Sequence, residues 1–314
     1  MLFQSSIEIS GYSRLRRRLS YQLLMPIFRS EKGIMNFRQR YFFQVIEIME
    51  NHDLKELLDP VIQIAYQAGK VIMEVYDAGF AIEEKSDHTP VTEADVAANN
   101  VIETSLKELT PHLPILTEEA KPTPYSVRKK WPRYWLIDPL DGTREFIKRN
   151  GEFTVNIALI DGDESVMGVV YAPVIGVLYY AAKGQGAFKQ NSTNEPQVIH
   201  VKDNCKGKIT VACGRSHPTD EVKTLLANLG DHEILRVGSA LKSCMVAEGK
   251  ADLYPRLGPT SEWDTAAAQC VVEEAGGAIT DINMQRIRYN TKEDLLNPHF
   301  FVAGDKSIKW CDYL

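Results

Sequence analysis

Cysteine is scarce in this 314-residue chain: Cys205, Cys213, Cys244, Cys270 and Cys311 are odd in number, scattered, and nowhere spaced as C-x-x-C. That argues against a disulfide framework or a thiolate metal site and fits a reducing, cytoplasmic setting. Long apolar runs are missing too, and without about eighteen consecutive apolar residues a spanning helix is not expected. Nor is there an excess of positive charge: the net charge of −6 sets the chain against a nucleic-acid polymer as its main partner. It leaves room for a small anion whose charge a bound metal neutralises. Internal repeats and low-complexity segments are absent as well. What is present is 44% hydrophobic content, enough for a full core in one large or two smaller domains.

Charge is unevenly spread. Residues 1–48 carry eight Lys/Arg (Arg14, Arg16, Arg17, Arg18, Arg29, Lys32, Arg38, Arg40) against Glu8, Glu31 and Glu47, or +5, which leaves −11 for the rest. The apolar stretch Leu19 to Phe28 is broken by Ser20, Tyr21, Gln22 and Pro26, so a secretory signal is disfavoured. Two readings stay open: a poorly ordered extension from an upstream start, or a basic arm in peripheral contact with the cytoplasmic face of the inner membrane.

One stretch organises the remainder. In Trp135-Leu136-Ile137-Asp138-Pro139-Leu140-Asp141-Gly142-Thr143 an apolar run ends in two carboxylates around a proline. Tyr134 to Ile137 reads as a buried strand that Pro139 stops, leaving Asp138 at its tip. Gly142 permits close backbone approach, and Thr143 opens a short helix whose free N–H groups point back toward the acids. A cation bridged to a phosphate fits that arrangement.

Before this stretch, Leu54 to Tyr76 repeats apolar residues at three and four, the mark of an amphipathic helix. A short strand follows near Ala81 to Lys85. Thr92 with Asp95 resembles a capping box opening the helix that runs to Leu109, so Asp95 has a structural reading beside a functional one. Glu118 and Glu119 then follow the short strand Ile115-Leu116, as Asp138 follows its own.

After it, Phe153 to Ile160, Ser165 to Ala172 and Gly176 to Ala182 read as an antiparallel meander. Beyond the polar link Asn191 to Gln197, strands and helices alternate through Ile209, Asp220, Ile234, Ala240 and Ala251. Thr260-Ser261-Glu262-Trp263-Asp264 opens an alanine-rich helix ending at Gly276-Gly277, with Asp264 in its first turn. The expected organisation is a basic extension (1–48), an α+β unit carrying the acids (49–190) and a second α/β unit (191–314).

Glu118, Asp138, Asp141 and Asp264, with no His or Cys cluster, form an all-oxygen set that favours Mg²⁺ or Mn²⁺ over zinc or copper. Two such ions roughly 3.5–4 Å apart suit phosphate-ester hydrolysis. Asp138-Pro139-Leu140-Asp141-Gly142-Thr143 and Trp263-Asp264-Thr265-Ala266-Ala267, in that order after Glu118-Glu119, resemble the two signatures of the inositol monophosphatase superfamily. The similarity spans about Leu54 to Asn297. The stretches Val91 to Asp95, Lys148 to Thr154, Gly214 to Pro218 and Leu253 to Arg256 are most similar to its branch acting on bisphosphorylated nucleotides.

The resemblance implies an alternating α-β-α-β-α sandwich of the sugar-phosphatase type, two sheets with helices between and outside. It implies that Glu118, Asp138 and the Leu140 carbonyl hold one Mg²⁺ and that Asp138, Asp141 and Asp264 hold another. A third, weaker Mg²⁺ site near Glu118, substitution by Mn²⁺ and sensitivity to lithium belong to the same expectation. Asp95, Thr143 and Glu118 form the implied catalytic set, with Asp95 and Thr143 orienting and deprotonating the attacking water. Glu118, Leu140, Asp141, Gly142, Thr143 and Asp264 would surround the scissile phosphate. Arg215, Ser216, His217, Ser239, Lys242 and Arg256 would take the other one.

The implied reaction is removal of the 3′-phosphate of adenosine 3′,5′-bisphosphate, as in clearing a by-product of sulfate assimilation, with 3′-phosphoadenylyl sulfate as a second substrate. The alternatives are a sister phosphatase for inositol monophosphate or a sugar phosphate, and a silent nucleotide-binding protein. Both monomers and homodimers fit the superfamily. Residues 1–48 match nothing in its pattern.

Overall fold

A computed structural model describes residues 37–79, 82–84, 90–121, 123–191, 195–215 and 218–314. The compact unit is Asn51–Leu314. Residues 1–36, the greater part of the basic extension, and Ser216 and His217 lie outside the described residues.

The elements in order are α1 (Phe37–Ala78), β1 (Ile82–Glu84), β2 (Pro90–Thr92), α2 (Glu93–Leu109), β3 (Ile115–Thr117), α3 (Tyr125–Arg128), β4 (Arg133–Asp141) and α4 (Thr143–Ile147). Then come β5 (Thr154–Asp161), β6 (Glu164–Ala172), β7 (Val177–Ala182), β8 (Ala187–Asn191) and β9 (Gln197–Val198). The last third holds β10 (Ile209–Cys213), α5 (Asp220–Leu229), β11 (His232–Arg236), α6 (Leu241–Ala247), β12 (Leu253–Arg256), α7 (Glu262–Glu274), β13 (Ala278–Asp281), β14 (Phe300–Ala303) and a 3₁₀ turn (Trp310–Tyr313).

Seven strands form one sheet in the order β3-β4-β5-β6-β7-β8-β9, and five form another in the order β11-β10-β12-β14-β13. In the first, only β3 and β4 run parallel; in the second, β10 is parallel to both neighbours and β14 antiparallel to both of its own. The expected meander is present as β5 to β7, and it continues through β8 and β9, which flank the polar link Asn191 to Gln197 and extend the sheet beyond the expected strands. Alternation in β5 explains the layering. Val155, Ile157 and Leu159 face a core shared with α1 and α2, while Ala158 and Ile160 face one shared with α6, α7 and the second sheet. A third core lies under α5 and the 3₁₀ turn. The order of layers is thus α-β-α-β-α, as the resemblance implies.

Helix α7 fits between two sheets because its inner residues are small: Ala266, Ala267 and Ala268 are all buried. A Cβ on Gly168 of β6 would stand 2.0 Å from the Ala267 carbonyl oxygen, so only glycine lets α7 come this near. Ser165 Oγ donates to the Ala266 carbonyl at 2.7 Å beside it. Asp264, in the first turn, is therefore fixed by how α7 docks. Helix α1 also departs from expectation, starting at Phe37 rather than near Leu54 and running through Pro60. Proline inside a helix forfeits a hydrogen bond, a loss offset here by burial of the flanking Val61, Ile64, Ala65, Ala68 and Ile72.

Candidate active site

The expectation that Pro139 ends the central strand is corrected by the structure. β4 continues to Asp141, with its pairing to β5 shifted between Asp138 and Asp141. Proline is tolerated there because an irregular stretch does not ask its nitrogen for a ladder hydrogen bond. The Leu140 N–H turns inward and donates to Asp138 Oδ1 at 3.0 Å. One extra bend thus brings two carboxylates toward the same side of the strand end. Gly142 follows at φ +92°, a left-handed conformation that starts α4 at Thr143.

Three elements deliver the acids. β3 lies parallel to β4, and the Glu118 N–H extends that pairing by donating to the Ile137 carbonyl at 3.2 Å. Glu118 is thereby held beside Asp138. Asp264 comes from the start of α7, where its Oδ2 accepts the Ser261 N–H at 2.9 Å as a cap. Glu118, Asp138 and Asp264 each offer an oxygen, and these oxygens all lie within 4.8 Å of one another.

The electrostatics of this cluster are those of a site built for a cation. Asp138 is buried, and its carboxyl is pushed well above the ordinary range by desolvation, then by Glu118, Asp141 and Asp264. Asp264 is raised to about 8 by burial and by Asp141. Asp141 is raised to about 6 by burial, with Lys242 and the Ala240 N–H pulling the other way. Across the ladder from Asp138, Asn156 is 1% exposed, and both polar atoms of its amide lack a hydrogen-bond partner among the described residues. Like charges drawn together beside a bare buried amide are costly unless a cation joins them. The donor set is all oxygen, so it fits a hard divalent ion such as Mg²⁺ or Mn²⁺.

Asp95 serves two ends at once. Its Oδ2 accepts the Thr92 N–H at 2.8 Å and the Thr92 hydroxyl at 2.6 Å, which makes the capping box of α2. Its Oδ1 accepts the Thr143 hydroxyl at 3.4 Å. The structural and functional readings of Asp95 are therefore compatible, one oxygen each.

A cleft of about 220 Å³ adjoins the acids and is lined by Asp141, Gly142, Ser239, Lys242, Arg256, Asp264 and Arg215 among others. Lys242 is buried, which holds its ammonium below the usual value against the pull of Asp141. Its Nζ donates to the Ser239 carbonyl at 2.6 Å and stands 5.4 Å from the centre of the Tyr254 ring. Arg256 donates to the Pro259 carbonyl at 2.7 Å, while its Nε is buried without a partner among the described residues.

Sequence reasoning missed Glu145, Arg144, Tyr254 and Phe300 in the lining, and Glu152 behind it. Glu152 and Tyr254 lie inside stretches that carry the resemblance, but no spacing gives them a role.

A sandwich of this layering with a carboxylate trio beside a basic cleft defines a metal-dependent phosphatase class. The Inositol monophosphatase family model matches residues 53–309, and the chain belongs to this family. It is 50% identical over 249 residues to the 3′(2′),5′-bisphosphate nucleotidase CysQ of Salmonella typhimurium (strain LT2), covering 79% of this chain and 99% of that one. The CysQ of Haemophilus influenzae is 40% identical over 257 residues, covering 82% and 96%. Among solved structures, CysQ from Bacteroides thetaiotaomicron, a bacterial member of the inositol monophosphatase family, superposes with a TM-score of 0.69 at 41% identity. That match covers 78% of this chain and 96% of that one. The family is metal-dependent, in keeping with the acidic cluster.

Proposed function

We propose that the chain hydrolyses the 3′-phosphate of adenosine 3′,5′-bisphosphate, releasing the 5′-monophosphate and inorganic phosphate, with 3′-phosphoadenylyl sulfate as a related substrate. The observation that carries this reading is the composition of one cleft: Asp141 and Asp264 line it together with Arg215, Lys242 and Arg256. Carboxylates attract a phosphate only through a cation, whereas guanidinium and ammonium groups attract it directly. Two phosphate-binding chemistries in one cavity suit a substrate with two phosphates. The likeness to relatives named 3′(2′),5′-bisphosphate nucleotidase supports the same choice.

Glu118, Asp138, Asp141, Asp264 and the Leu140 carbonyl would hold two Mg²⁺ ions, with a third, weaker site near Glu118. Bound there, the cations supply positive charge that neutralises the scissile phosphate and favours ionisation of water. The Gly142 and Thr143 N–H groups would orient the phosphate. Asp95 Oδ1 and the Thr143 hydroxyl, already turned to each other, would hold the attacking water and accept its proton, with Glu118 completing the catalytic set. Water oxygen bonds to phosphorus as the bond to the 3′-oxygen breaks, and that oxygen leaves with a proton from solvent. Arg215, Ser239, Lys242 and Arg256 would hold the 5′-phosphate, with Ser216 and His217 assigned there on the resemblance alone.

Incubation of adenosine 3′,5′-bisphosphate with the protein and Mg²⁺ should yield the 5′-monophosphate on chromatography. Accumulation of the 3′-monophosphate would mean that the roles of the two phosphate positions are reversed.

A further inference from the structure

The carboxylate of Glu152 ties together two segments that line the cleft. Its Oε2 accepts Arg215 Nε at 2.6 Å and its Oε1 accepts Nη2 at 2.5 Å, a two-pronged pair. Oε2 also accepts the Gly238 N–H at 2.9 Å. Glu152 is largely buried, at 13% exposure, whereas Arg215 is 47% exposed and reaches the cleft. The acid is thus the anchored member and the guanidinium the presented one. With Nε and one Nη2 N–H engaged, the two N–H groups of Nη1 and the second of Nη2 remain to meet an incoming anion.

The second segment is constrained as closely. A Cβ on Gly238 would stand 2.8 Å from the Glu152 carbonyl oxygen, so the two backbones meet where only glycine fits. Ser239, next in the chain, has φ +46°, a left-handed conformation that is strained for a serine and persists only where neighbours enforce it. Its Oγ accepts the Thr154 hydroxyl at 3.3 Å, two residues after Glu152, and its carbonyl accepts Lys242 Nζ. Glu152 therefore holds Arg215 directly and the Gly238-Ser239 turn through the Gly238 N–H, and that turn in turn holds Lys242 by the Ser239 carbonyl.

We propose that Glu152 is a positioning residue for substrate specificity: it orients Arg215 and the Gly238-Ser239 turn to receive the phosphate that is not cleaved. This rests on the nucleotidase reading above. A residue acting this way affects binding of the second phosphate, not the chemistry at the first. A residue that merely stabilises the fold would act on both.

The test compares adenosine 3′,5′-bisphosphate with adenosine 3′-monophosphate, which lacks the second phosphate, on wild type, Glu152→Gln, Glu152→Asp, Arg215→Met and Glu152→Gln/Arg215→Met. Wild type should prefer the bisphosphate. In Glu152→Gln the KM for the bisphosphate should rise on the order of tenfold relative to that for the monophosphate, the scale of one charge-assisted contact. kcat should fall far less. Glu152→Asp, charged but too short to keep both prongs, should show the same split. The double variant should lose less than the two single losses combined, because Arg215 is one of the two groups that Glu152 orients.

Equal losses on both substrates, an unchanged KM ratio, or additive losses in the double variant would each overturn the proposal. A wild type without preference for the bisphosphate would instead overturn the nucleotidase reading beneath it.

Discussion

Thr143 donates its hydroxyl proton to Asp95 Oδ1 at 3.4 Å, across 48 residues of sequence, while the other oxygen of Asp95 is held by the N-cap of α2. The start of one helix thereby orients a carboxylate toward the start of another. An acid fixed at one oxygen and hydrogen-bonded to a hydroxyl at the other is placed to take a proton from a group bound beside that hydroxyl.

Thr143→Val keeps the shape of the side chain and removes the hydroxyl. kcat should fall by about a hundredfold, the scale of a lost general acid–base contact, with stabilisation by Mg²⁺ retained. Full activity in steady-state kinetics would remove Thr143 from the proton path.

Asp138→Asn should lower kcat on the order of a thousandfold, because Asp138 lies among the other acids and is the most enclosed of them. The fold should survive, since the oxygen of the introduced amide can still accept the Leu140 N–H. Removing one charge from a repelling cluster should also raise the melting temperature in chelator and abolish the further rise that Mg²⁺ brings. Retained turnover would refute the role given to this carboxylate.

The raised carboxyls predict a pH dependence with a definite sign. Asp264 is at about 8 and Asp141 at about 6 in the folded chain, against about 4 for a free aspartate. Between those values the folded state binds more protons than the unfolded one, so their contribution to stability falls as pH rises from about 4 through 8. In chelator the melting temperature should therefore drop across that window. Mg²⁺ requires the ionised carboxylates, so its stabilising increment should grow over the same range. An increment that shrinks with rising pH, read by thermal denaturation with and without Mg²⁺, would contradict this electrostatic picture.

The site was legible in the sequence where its signal is local. Asp138, Asp141 and Gly142 fall within five residues of one another, and the apolar run before them identifies a strand whose end carries the acids. Asp95 and Asp264 each sit three residues into a capping box, and that local role gave no hint of which would face the cluster. The bulge at Pro139 was not legible, because whether a proline stops a strand or bends it depends on the partner strand β5. β8 and β9 were missed because their polar residues, Lys189, Gln190 and Gln197 among them, leave no apolar alternation to read. Glu152 was hidden for a different reason: its partners Arg215 and Gly238 are 63 and 86 residues away and meet it only after the second sheet has formed.

The central claim is that one cleft reads two phosphates, one through cations at the acids and one through Arg215, Lys242 and Arg256. Its most direct test is kcat/KM with Mg²⁺ for adenosine 3′,5′-bisphosphate against inositol 1-phosphate, in wild type and in Arg256→Ala. Wild type should favour the bisphosphate by at least about a hundredfold, and Arg256→Ala should lose most of that margin, the worth of a charge-assisted contact to phosphate. A wild type that favours inositol 1-phosphate, or an Arg256→Ala variant that loses equally on both, would contradict it.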